Sequence, residues 1–142
     1  MGWNPKRNAV TRDRYRPHPQ GVRGVCLYCG AAADTVDHVP PVAVAYMANE
    51  VSAKRDTHWL VPACGECNST LSTFAGRSLA ERRHFLAEKY RRRYQSIIRM
   101  PRWDDDELAE MGPVMGKDIS NKQALKHHIW ARLSRLKGSN AP

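Results

Sequence analysis

The sequence has no apolar run that approaches the length of a transmembrane helix, and its first residues carry no apolar stretch typical of a signal peptide. Lys6 stands where a myristoylation pattern requires Ser or Thr. We therefore expect an intracellular, cytoplasmic protein with reduced thiols and no membrane partner.

Large apolar side chains are scarce between residues 25 and 76. A segment that short, with so small a core, is only marginally stable unless a cross-link holds it together, and a bound zinc would be such a cross-link. The whole chain of 142 residues fits one domain.

Acidic residues are also in deficit, because 14 Asp and Glu stand against 23 Lys and Arg, giving a net charge of +9. The excess lies in residues 1–24 and 77–102, whereas residues 25–76 are mildly acidic. Basic flanks around an acidic centre suit a polyanion such as DNA held across a cation site. A solvated basic surface is the alternative interpretation of this charge pattern.

All four cysteines lie in two C-x-x-C pairs, Cys26/Cys29 and Cys64/Cys67. Two such pairs can supply four thiolates to one tetrahedral zinc, and four protein ligands leave no open position for catalysis. The pattern therefore predicts a structural Zn²⁺. Buried free cysteines or a redox pair are the alternatives.

Three polar residues accompany the cysteines: Asp37 and His38 between the pairs, and Asn68 directly after the second. A carboxylate and an amide oxygen can hold a hard divalent cation, and an imidazole can accept a proton from water near neutral pH. The alternatives are that His38 only packs or caps, and that Asn68 caps the helix after the knuckle.

Three strings together resemble the zinc-containing branch of the HNH endonucleases, which have a ββα-metal fold and include phage endonuclease VII. They are Cys26-x-x-Cys29, Asp37-His38-Val39-Pro40-Pro41, and Leu60 to Asn68, and they span about a third of the chain. The resemblance implies a metal-dependent DNA endonuclease with a bacterial or phage origin. It also implies that His38 is the general base and that Asp37 and Asn68 hold one catalytic Mg²⁺ or Mn²⁺.

The middle residue of the HNH pattern is missing. The family often has an Asn shortly before the second knuckle, and Trp59 occupies that place here, with His58 beside it. We expect His58 to help catalysis or to bind phosphate, and a surface histidine is the equally weighted alternative.

The predicted fold is α+β. A basic, flexible arm covers residues 1–24, a zinc-stapled ββα-metal core covers 25–76, and a helical region covers 77–142. Strands are predicted at 35–39 and 59–61, with a short helix from residue 42. Further helices are predicted over 67–74, from the Ser78 capping box to about Arg99, after Asp104, and from a second capping box at Ser120.

Arginines on the arm and on the long helix are the predicted phosphate contacts: Arg12, Arg14, Arg16, Arg92 and Arg99. The stripe formed by Tyr90, Tyr94 and Ile97 is typical of a core or of a homodimer seam. Two other functions remain open: a non-catalytic zinc-stabilised nucleic-acid-binding module, and a zinc scaffold whose helices bind a protein.

Overall fold

A computed structural model describes residues 14–47, 58–72 and 74–138. Within these ranges the chain forms three strands and six helices, which confirms a mixed α and β architecture. The strands are β1 (Arg16–Pro17), β2 (Thr35–Val39) and β3 (Trp59–Ala63). The helices are α1 (Val42–Met47), α2 (Gly65–Leu71), α3 (Leu79–Arg93), α4 (Gln95–Ile98), α5 (Asp105–Glu110) and α6 (Pro113–Leu136).

The sheet has the order β1-β3-β2, with β3 in the centre. β2 runs antiparallel to β3 and places His38 opposite Leu60, and it has the predicted bounds. β3 continues past its predicted end, through Pro62 to Ala63. Proline is tolerated there because β1 pairs only with Trp59 and Leu60, so no β1 partner lies beside Pro62.

α2 begins at Gly65 and ends at Leu71, whereas the sequence predicted residues 67–74. Its N-cap is Cys64, whose sulfur accepts a hydrogen bond from the backbone N–H of Cys67. The cap sets the start of the helix two residues before the predicted one. The predicted helix from Val42 is also present, as α1.

Two predictions about the later helices are wrong. The helix that starts at the Ser78 cap ends at Arg93, because the backbone at Tyr94 leaves helical geometry before α4 begins. The last helix starts at Pro113, with Gly112 before it at φ 84°, and passes through Ser120 without a break. Proline at the first helical position is a start signal, since its missing N–H has no partner to lose there.

Residues 14–24, which the sequence assigned to the flexible arm, include β1 and the buried Tyr15. Tyr15 donates its hydroxyl hydrogen to the carbonyl of Pro40, and Arg16 N–H donates to the carbonyl of His58. This part of the predicted arm is therefore packed against the hairpin. Residues 1–13, with Arg12, lie outside the described residues.

One hydrophobic core joins the cysteine segment to the helical region. It contains the four cysteines together with side chains from α3 and α6, including Leu86, Tyr90, Ile129 and Leu133. Tyr94 and Ile97 pack against its edge, so the predicted aromatic stripe lies within the core of the chain. None of the described helices is both long and apolar enough to cross a membrane.

Candidate functional site

The two cysteine knuckles approach each other because the first is fastened to β3 and the second follows β3 directly. In the first knuckle, Cys26 N–H donates to the carbonyl of Ala31, and Leu27 N–H donates to the carbonyl of Pro62. Gly30 closes the turn at φ 79°, a conformation that glycine adopts without steric cost. Both knuckles therefore lie at the same end of the hairpin.

The four cysteine sulfurs lie within 4.8 Å of one another, and all four residues are buried. They are free thiols, and Sγ of Cys29 lies 3.7 Å from Sγ of Cys64. A zinc–sulfur bond of about 2.3 Å implies an edge of about 3.8 Å in a tetrahedral site. The cluster has the donor atoms and the spacing for one Zn²⁺, as the cysteine pattern predicted.

The protonation of the cluster also calls for a cation. Hydrogen bonds from Cys29 and Cys67 lower the pKa of the Cys26 thiol to about 3. Hydrogen bonds to Cys26 and Cys29, together with burial, raise the pKa of the Cys67 thiol. One thiolate is thus stabilised at the expense of another, and ionising all four requires a compensating charge such as a dication.

Side chains from the helical region donate to three of the four sulfurs. Tyr90 O–H lies 3.0 Å from Sγ of Cys67, and Nε of Arg132 lies 3.3 Å from Sγ of Cys29. A second nitrogen of Arg132 lies 3.9 Å from Sγ of Cys64. Sequence reasoning missed both donors, although Arg132 follows the buried Ile129 by three positions on the same helix face.

Asp37 is buried and forms a bidentate ion pair with Arg82 of α3. Nη2 of Arg82 lies 2.9 Å from Oδ1 and 2.7 Å from Oδ2 of Asp37, and Nε lies 3.0 Å from Oδ2. The remaining guanidinium nitrogen donates to the carbonyls of Phe74 and Gly76. With Arg82 only 1% exposed, this pair fastens β2 to the start of α3 inside the core.

Tyr28, between the first two cysteines, hydrogen-bonds to both members of the Asp37–Arg82 ion pair. Its hydroxyl donates to Oδ2 of Asp37 and accepts from Nε of Arg82. Burial raises the pKa of Tyr28, and the negative charge of Asp37 adds to that effect. The phenol therefore stays a donor, and both carboxylate oxygens of Asp37 are engaged.

His38 is half-buried and points away from this ion pair. Successive side chains of a strand alternate between the two faces of a sheet, so buried Asp37 and Val39 face the core and His38 faces the other side. There its ring meets the edge of Tyr15, with centroids 4.9 Å apart. Asp37 and His38 thus leave the strand on opposite faces, and Tyr15, which meets the His38 ring, is also near enough to Asp37 for the carboxylate charge to help raise the pKa of Tyr15.

His58 packs against the same tyrosine, with ring centroids 5.3 Å apart, and is 3% exposed. The alternative of a surface histidine is therefore wrong. Tyr15 brings His38 and His58 to one place, a grouping that sequence reasoning did not anticipate. Burial raises the pKa of Tyr15, so its hydroxyl stays protonated and donates to the carbonyl of Pro40.

Asn68 lies inside α2, half-buried, and its backbone N–H donates to the carbonyl of Cys64. Cys64 is the helix cap, so the alternative of Asn68 as the N-cap is also wrong. α2 packs against β2, the strand that carries Asp37 and His38.

The predicted phosphate contacts among the described residues lie at or beside three elements, β1, α3 and α4. Arg16 is exposed on β1 and Arg14 is half-buried beside it, whereas Arg92 and Arg99 are exposed on either side of the Tyr94 break. A groove of about 510 Å³ between α6 and the segment that joins α4 to α5 is lined by Arg102, Gln123, Ala124, Lys126, His127 and Trp130. These groups add positive charge to the helical side of the molecule.

Comparison of this chain with protein-family models, with curated proteins and with solved structures returns no match.

Proposed function

We propose that this protein is a metal-dependent DNA endonuclease of HNH type. The observation that carries the proposal is the order hairpin, four-cysteine cluster and short helix, with α2 packed on β2. This arrangement holds His38 on the strand and Asn68 on the helix directly after the last cysteine. This order of elements is the one that the resemblance to the ββα-metal fold implies, and it supports the proposal.

In this function His38 accepts the proton of the water that attacks phosphorus. An imidazole held against Tyr15 keeps a fixed orientation, which general-base catalysis requires. Asp37 and Asn68 are the residues that would hold Mg²⁺ or Mn²⁺, and the bound ion would supply charge stabilisation at the leaving oxygen. Of the two oxygens of Asp37, Oδ1 accepts a single hydrogen bond and is the one with a lone pair left for such an ion.

The Arg82 contact favours a second candidate function, a zinc-stabilised nucleic-acid-binding module without catalysis. A bidentate guanidinium already neutralises Asp37 and satisfies both its oxygens. In this candidate function the zinc and the ion pair stabilise the fold, and the basic residues on the helices contact phosphates.

Cleavage of plasmid and branched DNA, with Mg²⁺, with Mn²⁺ and with EDTA, tests the proposal. For a nuclease we expect cation-dependent cleavage, and a loss of about two to four orders of magnitude in rate for His38→Ala. The matched control is His84→Ala, because His84 is exposed on α3 and its ring faces Glu88 on the helix surface. This variant should cut at the wild-type rate.

A folded, zinc-loaded His38→Ala protein that cuts like wild type would rule out His38 as the base. Absence of cleavage together with DNA affinity that falls steeply with salt would support the binding module. Absence of both cleavage and salt-dependent binding would leave the scaffold that binds a protein.

A further inference from the structure

We propose that Arg132 anchors the last helix, α6, to the sulfur ligands of the bound zinc, so that the metal and the docked helix stabilise each other. The inference rests on zinc in the cysteine cluster and is independent of the proposed nuclease activity. Its basis is the set of contacts that Arg132 makes and the charge of the groups around it.

Arg132 is buried, with 6% of its surface exposed. Burying a guanidinium destabilises the folded state unless negatively charged groups lie beside it. Its Nη1 lies 2.8 Å from Oε2 of Glu66, in the first turn of α2. Glu66 is shared, because Arg93 lies 2.8 Å from its other oxygen and Tyr94 donates to that oxygen as well. One carboxylate therefore faces two guanidinium groups, and another negative charge is needed.

The cysteine cluster can supply that charge. Four thiolates outweigh the charge of one Zn²⁺ by two, so the loaded cluster is anionic. Arg132 lies against it, with nitrogens on the sulfurs of Cys29 and Cys64. These two cysteines come from different knuckles, so a single guanidinium touches both halves of the cluster. Burial acts to lower the pKa of Arg132, and hydrogen bonds with Cys29 and Glu66 raise it overall.

A second contact ties the same helix to the first knuckle. A Cβ on Gly30 would meet the Arg135 side chain at 3.3 Å, so the turn after Cys29 lies directly against α6. The Arg132 guanidinium also lies 4.7 Å from the centre of the Tyr90 ring, whose hydroxyl donates to Cys67. The helix therefore contacts the metal cluster through ionic, aromatic and close-packing interactions at once.

Coupling of this kind is reciprocal: if zinc strengthens the docking of α6, the docked helix strengthens zinc binding by the same factor. Groups that donate to metal ligands typically change metal affinity by about 10- to 100-fold when they are removed. We expect a change of that size for Arg132→Gln. The matched control is Arg93→Gln, which removes a comparable bond to Glu66 but touches no sulfur.

The test measures zinc affinity by competition with a chelator in wild type, Arg132→Gln and Arg93→Gln. It then measures the alkylation rate of each cysteine in the zinc-loaded proteins. Arg132→Gln should weaken zinc binding about 10- to 100-fold, expose Cys29 and Cys64 to alkylation before Cys26, and speed amide exchange in α6. Arg93→Gln should stay close to wild type in all three measurements.

If Arg132→Gln does not fold, Arg132→Lys replaces it. This variant keeps the charge but loses the planar fork that reaches both sulfurs, and should show a smaller change in the same pattern. Unchanged zinc affinity in the folded variant would overturn the proposal. So would an equal rise in reactivity at all four cysteines, because a general loosening of the core has that signature.

Discussion

The cysteine cluster and the Asp37 site are two buried anionic centres, and each is met by one buried arginine from the helical region. At Asp37, one carboxylate faces one bidentate guanidinium and one tyrosine hydroxyl, so charge and hydrogen bonds are complete within the protein. At the cysteines, Arg132 touches two sulfurs and the spacing leaves room for an ion at the centre. The same core thus contains an ion pair whose charges balance within the protein and a cysteine cluster that could bind a metal ion.

The difference shows what a buried negative group requires. A carboxylate can be balanced by one arginine, whereas four convergent thiols cannot all ionise beside a single guanidinium. Full ionisation of the cluster therefore requires a cation from solution, whereas Asp37 is already balanced by Arg82 of α3. We expect the two centres to respond differently to chelators and to substitutions.

Removal of the metal should have the largest effect. Metal analysis of the purified protein should find about one zinc per chain, and stripping it, or the substitution Cys64→Ser, should unfold the hairpin core because this small core needs the staple. Circular dichroism with and without a chelator measures the change. A metal-free protein with four titratable thiols and an unchanged spectrum would show that the Asp37–Arg82 pair is sufficient to hold the fold.

Breaking the ion pair should have the next largest effect. Arg82→Gln leaves a buried carboxylate without its cation and should lower the free energy of unfolding by about 3–5 kcal/mol. Urea unfolding of the zinc-loaded protein measures it. Lys122→Gln is the control, because Lys122 pairs with Asp118 on the exposed face of α6 and such pairs contribute about 0–1 kcal/mol.

The double variant Asp37→Asn with Arg82→Gln sharpens this result. The two residues are in direct contact, so the double variant should lose less free energy of unfolding than the sum of the losses in the two single variants. Additive losses would mean that the ion pair is not the source of either effect.

The single variant Asp37→Asn should also be tested in the cleavage assay. If it destabilises the fold and leaves cation-dependent cleavage intact, Asp37 is structural and holds no catalytic ion.

The four-cysteine cluster could be predicted from the sequence because the residues that form it follow a local spacing pattern. The cysteines come in two C-x-x-C pairs, and β2 and β3 are short segments that contain β-branched or aromatic residues. Both features depend on spacings of a few residues, which a sequence displays directly. The start of α2 was predicted two residues late because the cap is a cysteine sulfur, which is not among the usual capping side chains.

The partners of the two centres could not be assigned because they are distant in sequence. Arg82 lies 45 residues from Asp37, and Arg132 lies 103 residues from Cys29. Residues 77–102 alone contain nine basic residues, and charge does not distinguish a buried arginine from a solvated one. A helical signal was present, since Arg82 precedes the buried Leu86 by four positions and so lies on the apolar face of α3.

The smallest effects should come from two matched tyrosine substitutions, one at each centre. Tyr28→Phe removes a hydroxyl that donates to Asp37, and Tyr90→Phe removes one that donates to the sulfur of Cys67. Both keep the ring, so packing is preserved. Tyr90→Phe loses the one bond to Cys67, whereas Tyr28→Phe also loses the bond that the hydroxyl accepts from Nε of Arg82, a nitrogen that keeps its bond to Asp37. A hydrogen bond to a charged group contributes about 1.5–3 kcal/mol, so Tyr28→Phe should lower the free energy of unfolding by that amount or less.

The two tyrosine variants should separate in their metal binding. Zinc affinity and cysteine alkylation should not change in Tyr28→Phe, because Tyr28 donates to a carboxylate that the arginine still balances. In Tyr90→Phe, Cys67 should become the most reactive of the four cysteines, because its sulfur loses a donor that stabilises negative charge. Equal metal affinities and equal Cys67 reactivity in the two variants would mean that the hydroxyl at Cys67 only fills space. The contrast between the two centres would then rest on the arginines alone.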